Sequence, residues 1–231
     1  MKVHDVKQGS PEWAALRRGI PTASEFDSLI SPEWKARTGQ GPTTYLYGKV
    51  CEKLLGFSAD GGGSFAMQNG SILELEARPY FAFTHDIEVK TVGFCTTDDG
   101  RIGCSPDGLI GEDGGIEIKC PEPQTHLRYL MEGGVPKDYQ AQVHGSMLVT
   151  GRPWWIFLSY SRQFPALIVK VQRDEAIQKA LRGALDAFLG RFDESMGKKR
   201  KYCPFVKSDG GPPEKFPNWS LQKSSKQSRR K

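Results

Sequence analysis

The stretch Gly115-Ile116-Glu117-Ile118-Lys119-Cys120 alternates apolar and charged residues one for one. Successive side chains on an extended strand point to opposite faces, so Glu117 and Lys119 share one face while Ile116, Ile118 and Cys120 share the other. Such a strand belongs to a sheet that is core on its isoleucine side and carries a polar patch on its other side. The residues just before it, Gly111-Glu112-Asp113-Gly114-Gly115, are turn chemistry. The preceding segment, Cys104-Ser105-Pro106-Asp107-Gly108, is therefore expected to fold back as a hairpin partner. Nine residues separate Asp107 from Glu117, and the hairpin brings Asp107, Glu117 and Lys119 into one patch.

Two carboxylates at bonding distance repel each other unless a cation neutralises them. A hard, oxygen-only site suits Mg²⁺, which keeps waters and takes phosphate oxygens as its remaining ligands. An ammonium beside the metal can hold an attacking water and stabilise charge building on a phosphate. The implied chemistry is metal-assisted phosphodiester hydrolysis. The same three residues also fit a solvated ion-pair face, because an Asp with a downstream Glu-x-Lys arises readily by chance.

The 231 residues suffice for one good core, and 38% hydrophobic with 26% charged residues is ordinary for a soluble globular protein. The first residues are charged and the longest apolar stretch, around Trp154, falls far short of the roughly 18 residues of a membrane span. A cytoplasmic protein is expected. Five cysteines, Cys51, Cys95, Cys104, Cys120 and Cys203, are scattered without a C-x-x-C. They argue against a disulfide framework, a zinc site or an iron-sulfur cluster, and read as small buried hydrophobes. The overall charge of +5 is uneven: from residue 198 onward 11 Lys and Arg face only Asp209 and Glu214, a local +9 that leaves the rest of the chain at −4. Acids for a metal with lysines for a polyanion would look like this, and so would a merely solubilising tail.

The periodicities predict an α/β fold, a central mixed sheet flanked by helices, in one domain over residues 1–197 followed by a basic, loosely ordered tail over 198–231. Ser10-Pro11 opens a short helix that Gly19 ends, and Thr22-Ala23-Ser24-Glu25 reads as a capping box opening a second. Further helices are expected at 43–55, 65–83 with distortion at Gly70 and Pro79, 124–131, 138–149 and 174–196. Strands are expected at 87–94, 102–110, 116–120, 154–159 and 166–172. Glycines 61–63 read as a connector, since no Gly-Lys-Ser/Thr follows them.

Around the acidic patch, one of the helix acids Glu74 and Glu76 is placed to face the patch and the other to pair with Arg78. Gln142 is placed to reach the scissile phosphate or to orient Lys119. Arg17, Ser24 at the start of the Thr22 helix, and Ser105 form a second constellation of a guanidinium, hydroxyls and free N–H groups suited to a terminal phosphate. Glu25 opposes an anion there unless its carboxylate turns back into the cap. Capping plus a surface arginine accounts for the same residues equally well. Lys35 and Arg37 lie in a loop that either grips a duplex or is simply solvated. The histidines His4, His85, His126 and His144 show no ligand spacing and read as structural or surface residues, and Trp154 and Trp155 as core.

The order of these pieces carries more than any one of them: Trp13-x-x-Leu16-Arg17-x-Gly19, Thr22-Ala23-Ser24-Glu25, Gly70 with Glu74 and Ala77-Arg78, Cys104-Ser105-Pro106-Asp107-Gly108-Leu109, Glu117-Ile118-Lys119-Cys120-Pro121, and Tyr139-x-Ala141-Gln142-Val143. In this order the chain resembles the phage lambda exonuclease type of viral recombination nuclease, within the PD-(D/E)xK superfamily. The resemblance runs by motif over residues 9–150 and by pattern over the remaining strand-strand-helix. It implies a 5′-to-3′ exonuclease that degrades one strand of double-stranded DNA from its end to mononucleotides in recombination by single-strand annealing. It further implies Mg²⁺, two ions with Mn²⁺ able to substitute, a homotrimeric ring around DNA, and a phage single-strand annealing protein as partner. By motif position, Asp107, Glu117 and the Ile118 carbonyl would bind metal, with Glu74 in support, directly or through water. Lys119 would activate the water, Gln142 would assist near the scissile phosphate, and Arg17, Ser24 and Ser105 would receive the 5′-phosphate. The basic tail departs from the family pattern. Two other readings suit the same residues: an endonuclease on this scaffold, and an inactive DNA-end-binding recombination scaffold.

Overall fold

The computed structural model describes residues 1–56 and 65–198; glycines 61–63, Cys203 and nearly all of the basic tail lie outside the described residues. Strand β1 (Lys2–His4) is followed by helix α1 (Pro11–Arg17), a 3₁₀ helix (Ala23–Ser28), α2 (Gln40–Leu55) and α3 (Phe65–His85). Strands β2 (Val89–Lys90), β3 (Phe94–Thr96), β4 (Gly103–Cys104), β5 (Gly108–Ile110) and β6 (Gly114–Lys119) come next. Helices α4 (Pro123–Glu132) and α5 (Lys137–Thr150), strands β7 (Trp154–Ser159) and β8 (Leu167–Gln172), and helix α6 (Glu175–Gly197) complete the chain.

Where one central sheet was expected, the described strands form two: a mixed five-stranded sheet in the order β2-β5-β6-β7-β8 and a small sheet β1-β3-β4. The expected strands at 87–94 and 102–110 each break in the middle, and their halves go to different sheets. Gly93 is one reason the chain can turn there, because a Cβ at that position would lie 1.9 Å from the Val6 carbonyl oxygen. Pro106, lacking an N–H, interrupts the second run. β6 sits at the centre, antiparallel to β5 and parallel to β7. The connection from β6 to β7 runs through α4 and α5, as a parallel crossover requires.

The alternation of β6 translates directly into layers. Ile116 and Ile118 join Ile110, Ile156 and Leu158 against Ala77 and Phe81 of α3. On the opposite face Leu109, Trp155 and Phe157 pack under Val143 and Met147 of α5. Gly115 stands beside Trp155 in the parallel register, and a Cβ there would lie 2.3 Å from the indole ring. The outer side of α5 meets the 3₁₀ helix, α2 and α6 in the largest apolar cluster, which includes Phe26, Leu46, Leu181 and Phe188. Close approach there depends on Gly145, whose absent Cβ would fall 2.5 Å from Phe26 Cδ2.

Three local expectations are corrected. Thr22 opens a six-residue 3₁₀ helix, not an α-helix, and its side chain makes no cap bond to the backbone. Helix α3 passes through Pro79 without interruption; the carbonyl left without its usual donor belongs to Leu75, an exposed residue that water can reach. Of the described cysteines, Cys95 and Cys104 are buried as expected, Cys120 is half-buried and Cys51 is exposed.

Candidate active site

The hairpin predicted from turn chemistry forms, with Gly108 opposite Ile116 and Ile110 opposite Gly114. Extending that antiparallel register by one residue sets Asp107 across from Glu117, where side chains share a face. The turn is held by Arg152, a buried residue just after α5, whose Nη1 donates to the carbonyls of Ile110, Gly111 and Gly114 at 3.2, 2.9 and 2.6 Å. Nothing in the local sequence announces this, since the arginine and the turn lie about forty positions apart.

Glu117 is buried, and its Oε1 accepts from Gln142 Nε2 of α5 at 2.6 Å and pairs with Lys119 Nζ at 2.7 Å. Its Oε2 is buried with no hydrogen-bond partner. Asp107 Oδ2 accepts from the Ile118 N–H at 2.5 Å. Burial, then the charges of Glu117 and Glu74, push the Asp107 carboxyl well above the usual carboxylate range. Burial alone would lower Lys119, but the facing Glu117 and Asp107 carboxylates outweigh it and hold the ammonium charged. The ring of Tyr139 lies 4.9 Å from Lys119 Nζ and adds a cation–π contact.

Glu74 faces the patch from α3. Its carboxyl is pushed up by burial, pulled down by Arg78 and pushed up again by Glu117. The division of labour expected between the two helix acids is corrected: the patch-facing Glu74 is also the residue paired with Arg78, at 2.5 Å, while Glu76 reaches across to Arg162. Arg78 Nε also donates to the Asp107 carbonyl at 2.9 Å, tying α3 to the hairpin. Glu74 and Asp107 line one wall of a cleft of about 720 Å³, with Trp13 and residues 5–9 along its border. Among the described residues no three His, Cys, Asp or Glu side chains converge on one point.

The second constellation also assembles. Arg17 Nη1 donates to Ser105 Oγ at 3.1 Å and Nη2 to Thr22 Oγ1 at 3.3 Å, and Thr22 Oγ1 lies 3.3 Å from Ser24 Oγ. Trp13 Nε1 donates to the same Ser105 oxygen at 2.9 Å, and the guanidinium stacks 4.3 Å from the indole centroid. An oxygen that accepts two donors directs its own hydrogen elsewhere, so Ser105 is set up to donate. Glu25 is turned back, as an anion site there requires: its Oε2 accepts from Thr22 Oγ1 at 3.1 Å and pairs with Lys49 at 3.0 Å. Since the 3₁₀ helix is only two turns long, this pocket is built from side chains and not from a helix end.

Sequence reasoning gave no role to Trp13, Lys49, Tyr139 or Arg152, and read Thr22 only as a helix cap and Arg78 only as the partner of a helix acid. Lys49 had a readable signal: it sits on the same helical stripe as Leu46 and Val50, where a charge is out of place. Lys35 and Arg37 are not brought to either constellation. Arg37 Nε donates to the Asp27 and Ile30 carbonyls and closes its own loop. The histidines are structural or surface residues as expected: His126, fully buried, bonds Ser159 Oγ and the Pro165 carbonyl, and His144 packs edge-on to Trp34.

Residues 12–153 match the model of the YqaJ-like viral recombinase domain. The chain belongs to the YqaJ-like viral recombinase family. An alkaline exonuclease from Laribacter hongkongensis is 30% identical, with a TM-score of 0.76 over 85% of this chain and all of that one. The same enzyme in complex with dAMP superposes with a TM-score of 0.75. A phage-related exonuclease from Haemophilus somnus, 15% identical, shares the fold over 78% of this chain with a TM-score of 0.59. No curated protein matches the sequence. The YqaJ-like domain boundary agrees with the span of the motifs, and the fold is that of PD-(D/E)xK exonucleases. Membership makes the chain a nuclease of viral recombination.

Proposed function

We propose that this YqaJ-like protein is a Mg²⁺-dependent 5′-to-3′ exonuclease that degrades one strand of duplex DNA from a phosphorylated end to mononucleotides, feeding single-strand annealing in phage recombination. The observation that carries the reading is Glu117: a buried carboxylate with one oxygen gripped by Gln142 and Lys119 and the other, Oε2, without a donor. A buried carboxylate oxygen without a partner is costly, and a hard cation is the partner that chemistry supplies. Asp107 and Glu117, with the Ile118 carbonyl, would hold Mg²⁺ (Mn²⁺ as a substitute), and Glu74 would contribute through water. Bound there, the metal supplies Lewis acidity toward the scissile phosphate and lowers the pKa of water. Two carboxylates leave room for waters and phosphate oxygens among the metal's ligands.

The protein's own groups do the remaining work. Lys119, kept charged by its carboxylate neighbours, orients the attacking water and offsets charge on the phosphate. Gln142 holds Glu117 in place and lies beside the reacting phosphate. Arg17, Ser105 and Ser24 receive the 5′-phosphate of the degraded strand, so that the end sets the register of the cut. A homotrimeric ring around DNA would supply processivity, because a trapped duplex cannot diffuse away between cleavages. Lys35 and the basic tail are candidates to contact the incoming duplex.

The test uses three substrates with Mg²⁺: a linear duplex with 5′-phosphates, the same duplex with 5′-hydroxyls, and a closed circle. Mononucleotide release from the first, slower release from the second and an intact circle are expected. Cutting of the circle would establish an endonuclease on this scaffold instead, and binding of ends without any hydrolysis would establish an inactive recombination scaffold.

A further inference from the structure

Two contacts hold Lys119. Its ammonium pairs with Glu117 Oε1 at 2.7 Å and lies 4.9 Å from the ring centroid of Tyr139. Tyr139 and Gln142 stand three positions apart on α5, so one face of that helix supplies Gln142 to Glu117 and Tyr139 to Lys119. The ring is itself firmly placed. It stacks on Phe157 with 5.5 Å between centroids and 28° between planes, and meets Tyr129 edge-on at 6.2 Å. Phe157 is fully buried and neighbours Glu117 in the parallel register of β6 and β7. The Tyr139 hydroxyl is hydrogen-bonded to Tyr129. What Tyr139 offers Lys119 is therefore the face of its ring and not its oxygen.

An ammonium tied to Glu117 alone is poorly secured. Any cation that the Glu117 carboxylate takes up carries the same sign as Lys119, repels it and weakens the pair. A ring face has no such conflict. It attracts an ammonium through its quadrupole and has no net charge with which to compete for a metal. The ammonium has three hydrogens. With one on Glu117 and one toward the ring, the third remains for a water or a phosphate oxygen. An aliphatic residue at position 139 would fill the space without holding the charge.

We propose that Tyr139 is a positioning residue for the cleavage step: its ring face keeps the Lys119 ammonium in place when Glu117 is engaged by another cation. The proposal rests on the role given to Lys119 under Proposed function. It is tested by replacing residue 139, through nonsense suppression, with phenylalanine and its mono-, di- and trifluorinated forms, which keep the ring's shape while draining its π face. Single-turnover hydrolysis of a 5′-phosphorylated duplex with Mg²⁺ should keep most of its rate in Tyr139→Phe, fall stepwise with added fluorine to about tenfold below wild type, and fall at least as far in Tyr139→Leu. Stacking on Phe157 responds in the opposite sense, since an electron-poor ring stacks better on an electron-rich one. A ring that only packs would therefore give a flat or rising series. A second readout needs no metal. In EDTA, NMR of the protein with isotope-labelled lysine should show the Lys119 ε-methylene protons shifted upfield by the ring, a shift kept in Tyr139→Phe and lost in Tyr139→Leu, with the resonance identified by its absence in Lys119→Ala. Rates that do not follow fluorination in folded variants, or a Lys119 methylene shift that survives Tyr139→Leu, overturn the proposal and leave Tyr139 a packing residue. Undiminished hydrolysis by Lys119→Ala would instead remove the role of Lys119, and the proposal with it. If circular dichroism shows Tyr139→Leu unfolded, the fluorinated series decides by itself.

Discussion

Each of the three residues at the patch is held by a different kind of contact, and each responds to substitution differently. Lys119→Ala removes the charged donor beside Glu117 and should cut hydrolysis by more than about 100-fold, with DNA-end binding in EDTA nearly unchanged; gel shifts beside a single-turnover assay will separate the two. Asp107→Asn keeps an oxygen to accept from Ile118 while deleting a buried charge that burial and Glu117 disfavour. The variant should be inactive yet more stable than the parent by about 1–2 kcal/mol in urea melts without metal. His144 gives a pH signature. Burial holds its imidazole below the usual histidine range, with Asp174 acting weakly the other way. The unfolded chain thus binds more protons than the folded one near pH 6, so stability falls as pH drops below the unfolded histidine pKa of about 6.5. Urea midpoints should decline from pH 7.5 to 5.5, and His144→Phe should flatten that slope.

Among the elements, the β5–β6 hairpin is the one on which chemistry depends, and its turn is pinned from outside by Arg152. Replacing Arg152 with Leu leaves three carbonyls without their donor and should cost about 2–4 kcal/mol. Activity should fall beyond what stability explains, because the register that sets Asp107 opposite Glu117 is loosened; hydrogen exchange at residues 108–118 will report it. The α5 helix is the other critical element, since it covers the sheet with Val143 and Met147, supplies Gln142 to Glu117, and meets Phe26 through Gly145. The alternation of β6 and a last helix beginning near residue 174 were legible in the sequence; the Asp174 cap, which accepts from the Ala176 and Ile177 N–H groups, was supplied by the structure. The breaks between β2 and β3 and between β4 and β5 were not legible, because they arise where Gly93 meets Val6 and where β1 draws Cys95 away from the larger sheet.

For the whole molecule, charge distribution leads to a further expectation. If the basic tail touches DNA, truncation after Gly197 should weaken duplex binding and reduce the slope of log affinity against log salt, since every phosphate that the protein ceases to neutralise keeps its counterion. An unchanged slope would assign the tail to solubility alone. Among the described residues no helix is long and apolar enough to cross a membrane. Phe83 and Met131 are the most exposed of the large apolar side chains among the described residues. Light scattering should return three times the chain mass if the ring is formed.

Sequence by itself determined the local grammar: which residues alternate, where turns fall, which acids and which lysine share a strand face, and the linear order of motifs that marks a YqaJ-like nuclease. Those features depend on neighbours within a few positions, where backbone geometry alone decides direction. Tertiary structure alone decided which partners each charge found. Glu76 took Arg162, Arg152 took the hairpin carbonyls, and Lys49 was enclosed behind Thr22, because burial makes every polar group seek a partner and the partner within reach is set by packing across the whole chain.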